Sequence, residues 1–218
     1  MELADILVFD EKFNKALIYY SQIQSKIKSD VIAQEARFKV ARTSYFKGDF
    51  PWAKLQLEVL RKSASQLIAN DAMELSLMIS DNSLEDSTQT ALKKFARADL
   101  LSLQLKNREA VTVLDGLLLD HKGESIEDEA LLMQGELYEK LGEFNKAAAN
   151  YKKLIEFYND DILADDAHYK LARLYEFELH QPEIAKAMYE QIIFNFKDSI
   201  YFVEARKKFR ILRGDEIN

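Results

Sequence analysis

Along the chain a large residue, an alanine three positions later and another large residue four after that recur in fixed order. The copies are Phe13, Ala16, Tyr20; Phe50, Ala53, Leu57; Phe144, Ala147, Tyr151; and Pro182, Ala185, Tyr189, with a weaker one at Asn107, Ala110, Leu114. Offsets of three and four place each triplet on one face of an α-helix. In the best copy the face runs on through Ala148, Leu154, Ile155 and Tyr158, and in the first through Leu17, Ile23 and Ile27. The alanines are spaced 37, 57, 37 and 38 residues apart. A second series marks the start of a partner helix: Glu35-Ala36, Asp71-Ala72, Glu129-Ala130, Asp166-Ala167 and Glu204-Ala205, spaced 36, 58, 37 and 38. Both series stretch in the same interval by about 21 residues, which predicts one additional helix there, with the polar stretch 81–88 as the seam.

Small alanines let two helix backbones approach, and the aromatic one turn away fills the space beyond the contact. The pattern predicts helices over 2–9, 11–27, 31–46, 50–66, 70–80, 87–105, 107–120, 126–140, 143–158, 162–178, 181–196 and 199–212. Gly48 and Gly142 stand two residues before Phe50 and Phe144, where a helix ends in a left-handed cap and the chain reverses. Ser125 with Asp128 three later fits a capping box opening the helix from 126. The expected fold class is all-α: an α-α superhelix, a solenoid of antiparallel helix pairs with one irregular repeat. It is expected to run as a single solenoid through 1–218, divisible into sub-blocks 1–80 and 87–218.

Composition agrees. With 6 glycines and 2 prolines the chain has too few turn residues for an all-β sandwich or barrel. Its 48% hydrophobic content is enough for a core. Cysteine is absent, which removes disulfides, thiolate metal sites and cysteine nucleophiles. No run approaches the roughly 18 apolar residues of a membrane span, so no direct membrane insertion is expected. Thirty basic and 37 acidic residues, interspersed, give a net charge of −7, which argues against a nucleic-acid partner.

A helix-turn-helix unit with these offsets resembles the tetratricopeptide repeat, best over 130–155. There Gly135, Tyr138, Gly142, Phe144, Ala147 and Tyr151 fall at the family's Gly, Tyr, Gly, aromatic, Ala and aromatic positions. The next unit matches through Leu171, Ala172, Tyr175, Ala185 and Tyr189, with a turn one residue longer. The family's early first-helix aromatic is missing throughout, its closing proline is absent, and the sole tryptophan, Trp52, sits in a second helix. The chain also looks like the carboxyl-terminal part of a group of large tetratricopeptide proteins of Bacteroidetes-type bacteria. The residues that carry this are Gly48-Asp49-Phe50 with Trp52-Ala53, the runs 65–72 and 161–167, and the ending Glu204-Ala205-Arg206-Lys207-Lys208-Phe209-Arg210 with Leu212-Arg213-Gly214-Asp215. That resemblance implies the cell envelope or periplasm, with any export signal upstream. Ala4 occupies the position of Ala41, Gly135 and Ala172 in their helices, so the chain is expected to be part of a longer one. Leu3, Ile6 and Leu7 would then have packed on a preceding repeat.

The candidate chemistry is sparse. Asp165 and His168 are three apart, but zinc needs three or four ligands and no other histidine supports them. His121 and His180 fall in predicted turns. The cluster Asp160, Asp161, Asp165 and Asp166 lacks the glycine and alternating oxygens of a calcium loop, and acidic residues favour a helix start, as again at Glu127 to Glu129. Arg206, Lys207, Lys208, Arg210 and Arg213 suit a helix C-terminus, and Arg213-Gly214-Asp215 spells an adhesion tripeptide. No serine-histidine-acid set, phosphate-binding glycine loop or HExxH segment occurs. No catalytic residue, cofactor or metal is therefore expected, and the protein is read as a non-enzyme.

In this architecture the first helices line a concave surface. Repeat position puts Lys39, Arg42 and Tyr45 on it in one unit, Leu132, Glu136 and Glu139 in another, and Tyr169, Arg173 and Glu176 in the last. Mixed charge with tyrosine and arginine suits a protein or peptide partner; an ordinary solvated helix face is the alternative. The expected function is a scaffold for protein-protein interaction through this face. The alternative is a structural C-terminal cap or self-association module of a larger envelope-associated protein, with a homodimer through the exposed N-terminal helix.

Overall fold

A computed structural model of the protein describes residues 1–27, 31–63, 65–83 and 89–215. Among the described residues every regular element is an α-helix: α1 Glu2–Phe9, α2 Phe13–Lys26, α3 Val31–Lys47, α4 Phe50–Ser63, α5 Gln66–Asp81, α6 Thr90–Leu103, α7 Asn107–Asp120, α8 Glu127–Lys140, α9 Phe144–Phe157, α10 Ala164–Phe177, α11 Pro182–Asn195 and α12 Phe202–Arg213. These lie within four residues of the expected boundaries. The expected seam falls partly on 84–88, outside the described residues.

Ten of the helices form five pairs, each joined by the same turn. Glu11, Gly48, Leu105, Gly142 and His180 all have positive φ, between 51° and 82°, and each stands two residues before the second helix of its pair. The residue after each closes the first helix by donating its N–H far back along the chain: Lys12 to Leu7, Asp49 to Ser44, Lys106 to Leu101 and Glu143 to Tyr138, at 2.7–2.9 Å. These are six-to-one bonds of the Schellman type, which satisfy carbonyls the helix end would leave open. In the last pair Gln181 reaches back one residue further, to Tyr175, which accommodates the longer turn. Only two of the five left-handed positions are glycine.

Two helices stand outside the pairs. α5 packs on α3 and α4 without a second helix of its own, and is the additional element that the stretched interval predicts. α12 packs on α11 and reaches α10 through Lys208, whose ammonium is 3.0 Å from Glu176. The chain forms two compact units, Met1–Ile126 and Glu127–Asn218. α3 packs against both α5 and α6, which keeps α1 to α7 in one unit.

The repeating triplets form the cores. Ala16, Ala53, Ala110, Ala147 and Ala185 are fully buried, as are the large residues one turn on, Tyr20, Leu57, Leu114, Tyr151 and Tyr189. Ala4, Ala41, Ala98, Gly135 and Ala172 on the first helices are buried too, and Gly135 lies directly against the Tyr151 ring. The second series, Ala36, Ala72, Ala130, Ala167 and Ala205, is buried too. One cap differs from expectation: the Ser125 hydroxyl donates to the Asp81 carbonyl at 3.4 Å instead of closing the start of α8. Of the expected end-face residues Leu3 and Ile6 are exposed, while Leu7 is half-buried.

Candidate functional site

Within the first unit α1, α3 and α6, each the first helix of its pair, wall a hollow of about 430 Å³. Val8 and Phe46 form its buried floor, and Ile6, Phe9 and Leu103 stand around the mouth. Polar side chains of α6 and its C-cap hold the end of α1: Gln104 donates to the Phe9 carbonyl at 2.7 Å, and Arg97 pairs with Glu11, in the turn after α1, at 2.7 Å. Arg97 is the main reason the Glu11 carboxyl is held below its usual range.

Two expected residues meet in this hollow. Lys39 donates to both Asp5 oxygens at 2.7 and 2.8 Å, and Asp5 also accepts the Tyr20 hydroxyl at 2.5 Å. Arg42 lies over the Phe46 ring, 5.3 Å from its centroid, with Asp99 of α6 at 3.6 Å. Tyr45 does not reach the face. It is fully buried, its ring tilted against Phe46 and Phe50 at 5.5 and 5.9 Å, because the position four after Ala41 points at the second helix. Asp99 is absent from the face expected above, although it follows Ala98 as Arg42 follows Ala41 and Glu136 follows Gly135. The sign that would have revealed it is the twelve-residue step from Ala98 to Ala110, equal to that from Ala41 to Ala53.

In the second unit most expected residues bind their own neighbours. Glu139 accepts the Tyr151 hydroxyl at 2.5 Å, and Glu176 accepts that of Tyr189 at 2.7 Å. Each phenol is pushed well above its usual range, first by burial and then by the carboxylate beside it. Glu136 pairs with Lys170 at 2.8 Å. Tyr169 stacks on Tyr201 with ring centroids 4.1 Å apart, while the Tyr201 hydroxyl donates to Asp166 at 2.6 Å. Leu132 is half-buried, and Arg173 is exposed with no hydrogen bond or ion pair among the described residues.

The other candidates serve structure. Asp160 and Asp161 are exposed, whereas Asp165 and Asp166 occupy the first turn of α10, and burial raises the Asp166 carboxyl above its usual range. Among the described residues no three His, Cys, Asp or Glu side chains are placed to hold a metal ion. His121 contacts Glu124 at 2.9 Å, and His180 supplies the left-handed turn residue before α11. Arg213 and Asp215 bond to each other at 2.8 Å.

His168 is buried against Phe196, with Nε2 3.2 Å from the Asn159 side chain. Burial lowers its pKa below the ordinary 6.5, and Asp165 opposes the shift only in part. The unfolded chain therefore binds the proton more readily than the folded one. Stability of 127–218 is expected to be at its plateau above pH about 6.5 and to fall as the pH drops through and below that value. Urea titrations between pH 5 and 8 read this slope, and His168→Leu should flatten it; a slope of the same size in His168→Leu would assign it to another group.

Paired helices of this length, joined by one repeated turn and packed on their neighbours within each unit, place the chain in the all-α superhelical repeat class. The chain carries tetratricopeptide repeats: the model of the tetratricopeptide repeat matches residues 129–160 and 166–199, which cover most of α8–α9 and α10–α11. No curated protein matches the chain. Repeats of this kind support a scaffold for protein-protein interaction, and their fold is typically non-catalytic. No helix among the described residues is long and apolar enough to cross a membrane.

Proposed function

We propose that the protein is a non-enzymatic scaffold that binds a protein partner through the exposed sides of its first helices. The observation that carries this reading is the apolar hollow between α1, α3 and α6, where Ile6, Phe9 and Leu103 remain exposed although the helix pairs do not need them for packing. Exposed apolar residues gathered in a concavity and edged by charge are the usual signature of a binding surface. In the second unit the accessible part of the face is Leu132, Glu136 and Arg173, since Glu139 and Glu176 hold tyrosines of the second helices. Cross-linked affinity capture with Leu103→Asp/Arg173→Glu beside the unaltered protein tests it. A partner captured by the unaltered protein is expected to disappear from the variant at equal helical content; retention would remove this face as the binding surface.

A second reading, self-association, has its own observation. Leu3 and Tyr19 are exposed and, with Ile23 and Ile27, line a smaller hollow of about 260 Å³ on α1 and the end of α2. It predicts a concentration-dependent dimer that Tyr19→Glu disrupts, and a monomeric mass by light scattering at high concentration counts against it.

A further inference from the structure

We propose that the hollow between α1, α3 and α6 anchors a segment of a partner protein that presents one large apolar side chain beside a carboxylate. This rests on the scaffold reading and names the chemistry of its partner. Size and lining come first. A volume of about 430 Å³ falls within the usual span of ligand pockets, roughly 300–1,000 Å³, and takes an aromatic or long aliphatic side chain. Its floor, Val8 and Phe46, is buried, but Ile6, Phe9 and Leu103 at the mouth are 58%, 45% and 40% exposed. So open a mouth suits one residue of a continuing chain, with the neighbouring residues running over the rim.

The charge around the hollow selects the neighbour. Asp5 and Lys39 satisfy each other through two short contacts, and Asp5 also accepts from Tyr20. The Glu11 carboxylate is taken by Arg97 and Gln104. A cationic group arriving at the apolar floor thus finds these carboxylates already bonded. Arg42 is different: it makes no hydrogen bond among the described residues, and its ion pair with Asp99 is long, at 3.6 Å. Its guanidinium offers five donors in a planar fork and stands over Phe46, at the edge of the apolar floor. A carboxylate one or two residues from the anchoring side chain meets that fork in the bidentate geometry guanidinium favours.

Selection of a phage-displayed library of 12-residue peptides on the immobilised protein, followed by anisotropy titration of the leading peptide, tests the assignment. Enriched peptides are expected to join an aromatic, leucine or methionine residue to an aspartate or glutamate nearby. Leu103→Asp should weaken the leading peptide at least tenfold, and Arg42→Gln about tenfold with a shallower salt dependence, the loss expected for a charge-assisted contact. Circular dichroism confirms that both variants fold. Peptides indifferent to both substitutions would overturn the assignment and leave a scaffold that binds elsewhere, and so would a consensus of apolar and basic residues. No enrichment at all would sink the scaffold reading with it. Two controls expose the other occupants: saturable binding of dodecanoate without any peptide binding, or a dimer by light scattering that Leu103→Asp dissolves, would each give the hollow to something other than a partner segment.

Discussion

Substituting Tyr151 by alanine is expected to destabilise residues 127–218 by about 3–5 kcal/mol, the usual cost of deleting a buried aromatic ring. The side chain is fully buried between α8 and α9, its ring lies against Gly135 and its hydroxyl donates to Glu139. The vacated space has a glycine for its floor, so no Cβ on the facing helix is present to reduce it. Urea unfolding followed by far-ultraviolet circular dichroism measures the loss, and a change under about 1 kcal/mol would show that the ring is not part of a packed core. Tyr151→Phe separates ring from hydroxyl. Hydrogen bonds to charged groups contribute about 1.5–3 kcal/mol, but the half-exposed Glu139 regains water when the phenol is gone. The phenylalanine variant should therefore lose less than half of what the alanine variant loses.

The helix pairs were legible because their cause is periodic. Offsets of three and four residues, repeated every 37 or 38, locate each buried alanine and its large neighbour before any coordinates are known. The turns were legible only at Gly48 and Gly142. The same left-handed turn occurs at Glu11, Leu105 and His180, which carry no such preference and adopt it because the packed helices on either side impose it. The face was harder still, since repeat position says which side of a helix a residue takes but not what already lies there. Position therefore placed Tyr45 on the surface, although Phe46 and Phe50 enclose it, and left Tyr169 available although Tyr201 covers it. Glu139 and Glu176 look like binding residues for a related reason. In these two pairs the carboxylate four positions after the small residue of the first helix accepts the tyrosine hydroxyl of the second. Where the second helix carries Leu57 the corresponding residue is Tyr45, and where it carries Leu114 it is Ser102; Tyr20 of α2 instead takes its carboxylate from Asp5, one position after Ala4, with Val8 at the fourth.

Gly135 has a test of its own. Replacing glycine by alanine inside a helix ordinarily stabilises by roughly 0.5–1 kcal/mol. At Gly135 a Cβ would stand 2.4 Å from Tyr151 Cε1 and 2.8 Å from Cζ, closer than carbon atoms pack. The ring has no room to withdraw, being fully buried with its hydroxyl tied to Glu139. Gly135→Ala is expected to destabilise 127–218 by about 1–3 kcal/mol, the cost of overpacking, less the helical gain. Other pairs show what restores the fit. Ala41 and Leu57, and Ala98 and Leu114, stand 16 residues apart as Gly135 and Tyr151 do and are all buried, so alanine with leucine is a combination this architecture packs; Ala4 with Tyr20 shares the spacing, so it is the closeness of the Tyr151 ring to Gly135, not the pairing with a tyrosine, that excludes a Cβ there. In a Tyr151→Leu background, Gly135→Ala should therefore reverse sign and stabilise, because the methyl group fills space the shorter side chain leaves over the glycine. A double-mutant cycle measured by urea unfolding isolates this coupling. If Gly135→Ala has the same effect in both backgrounds, the glycine answers to the helix backbone alone and not to the ring of Tyr151.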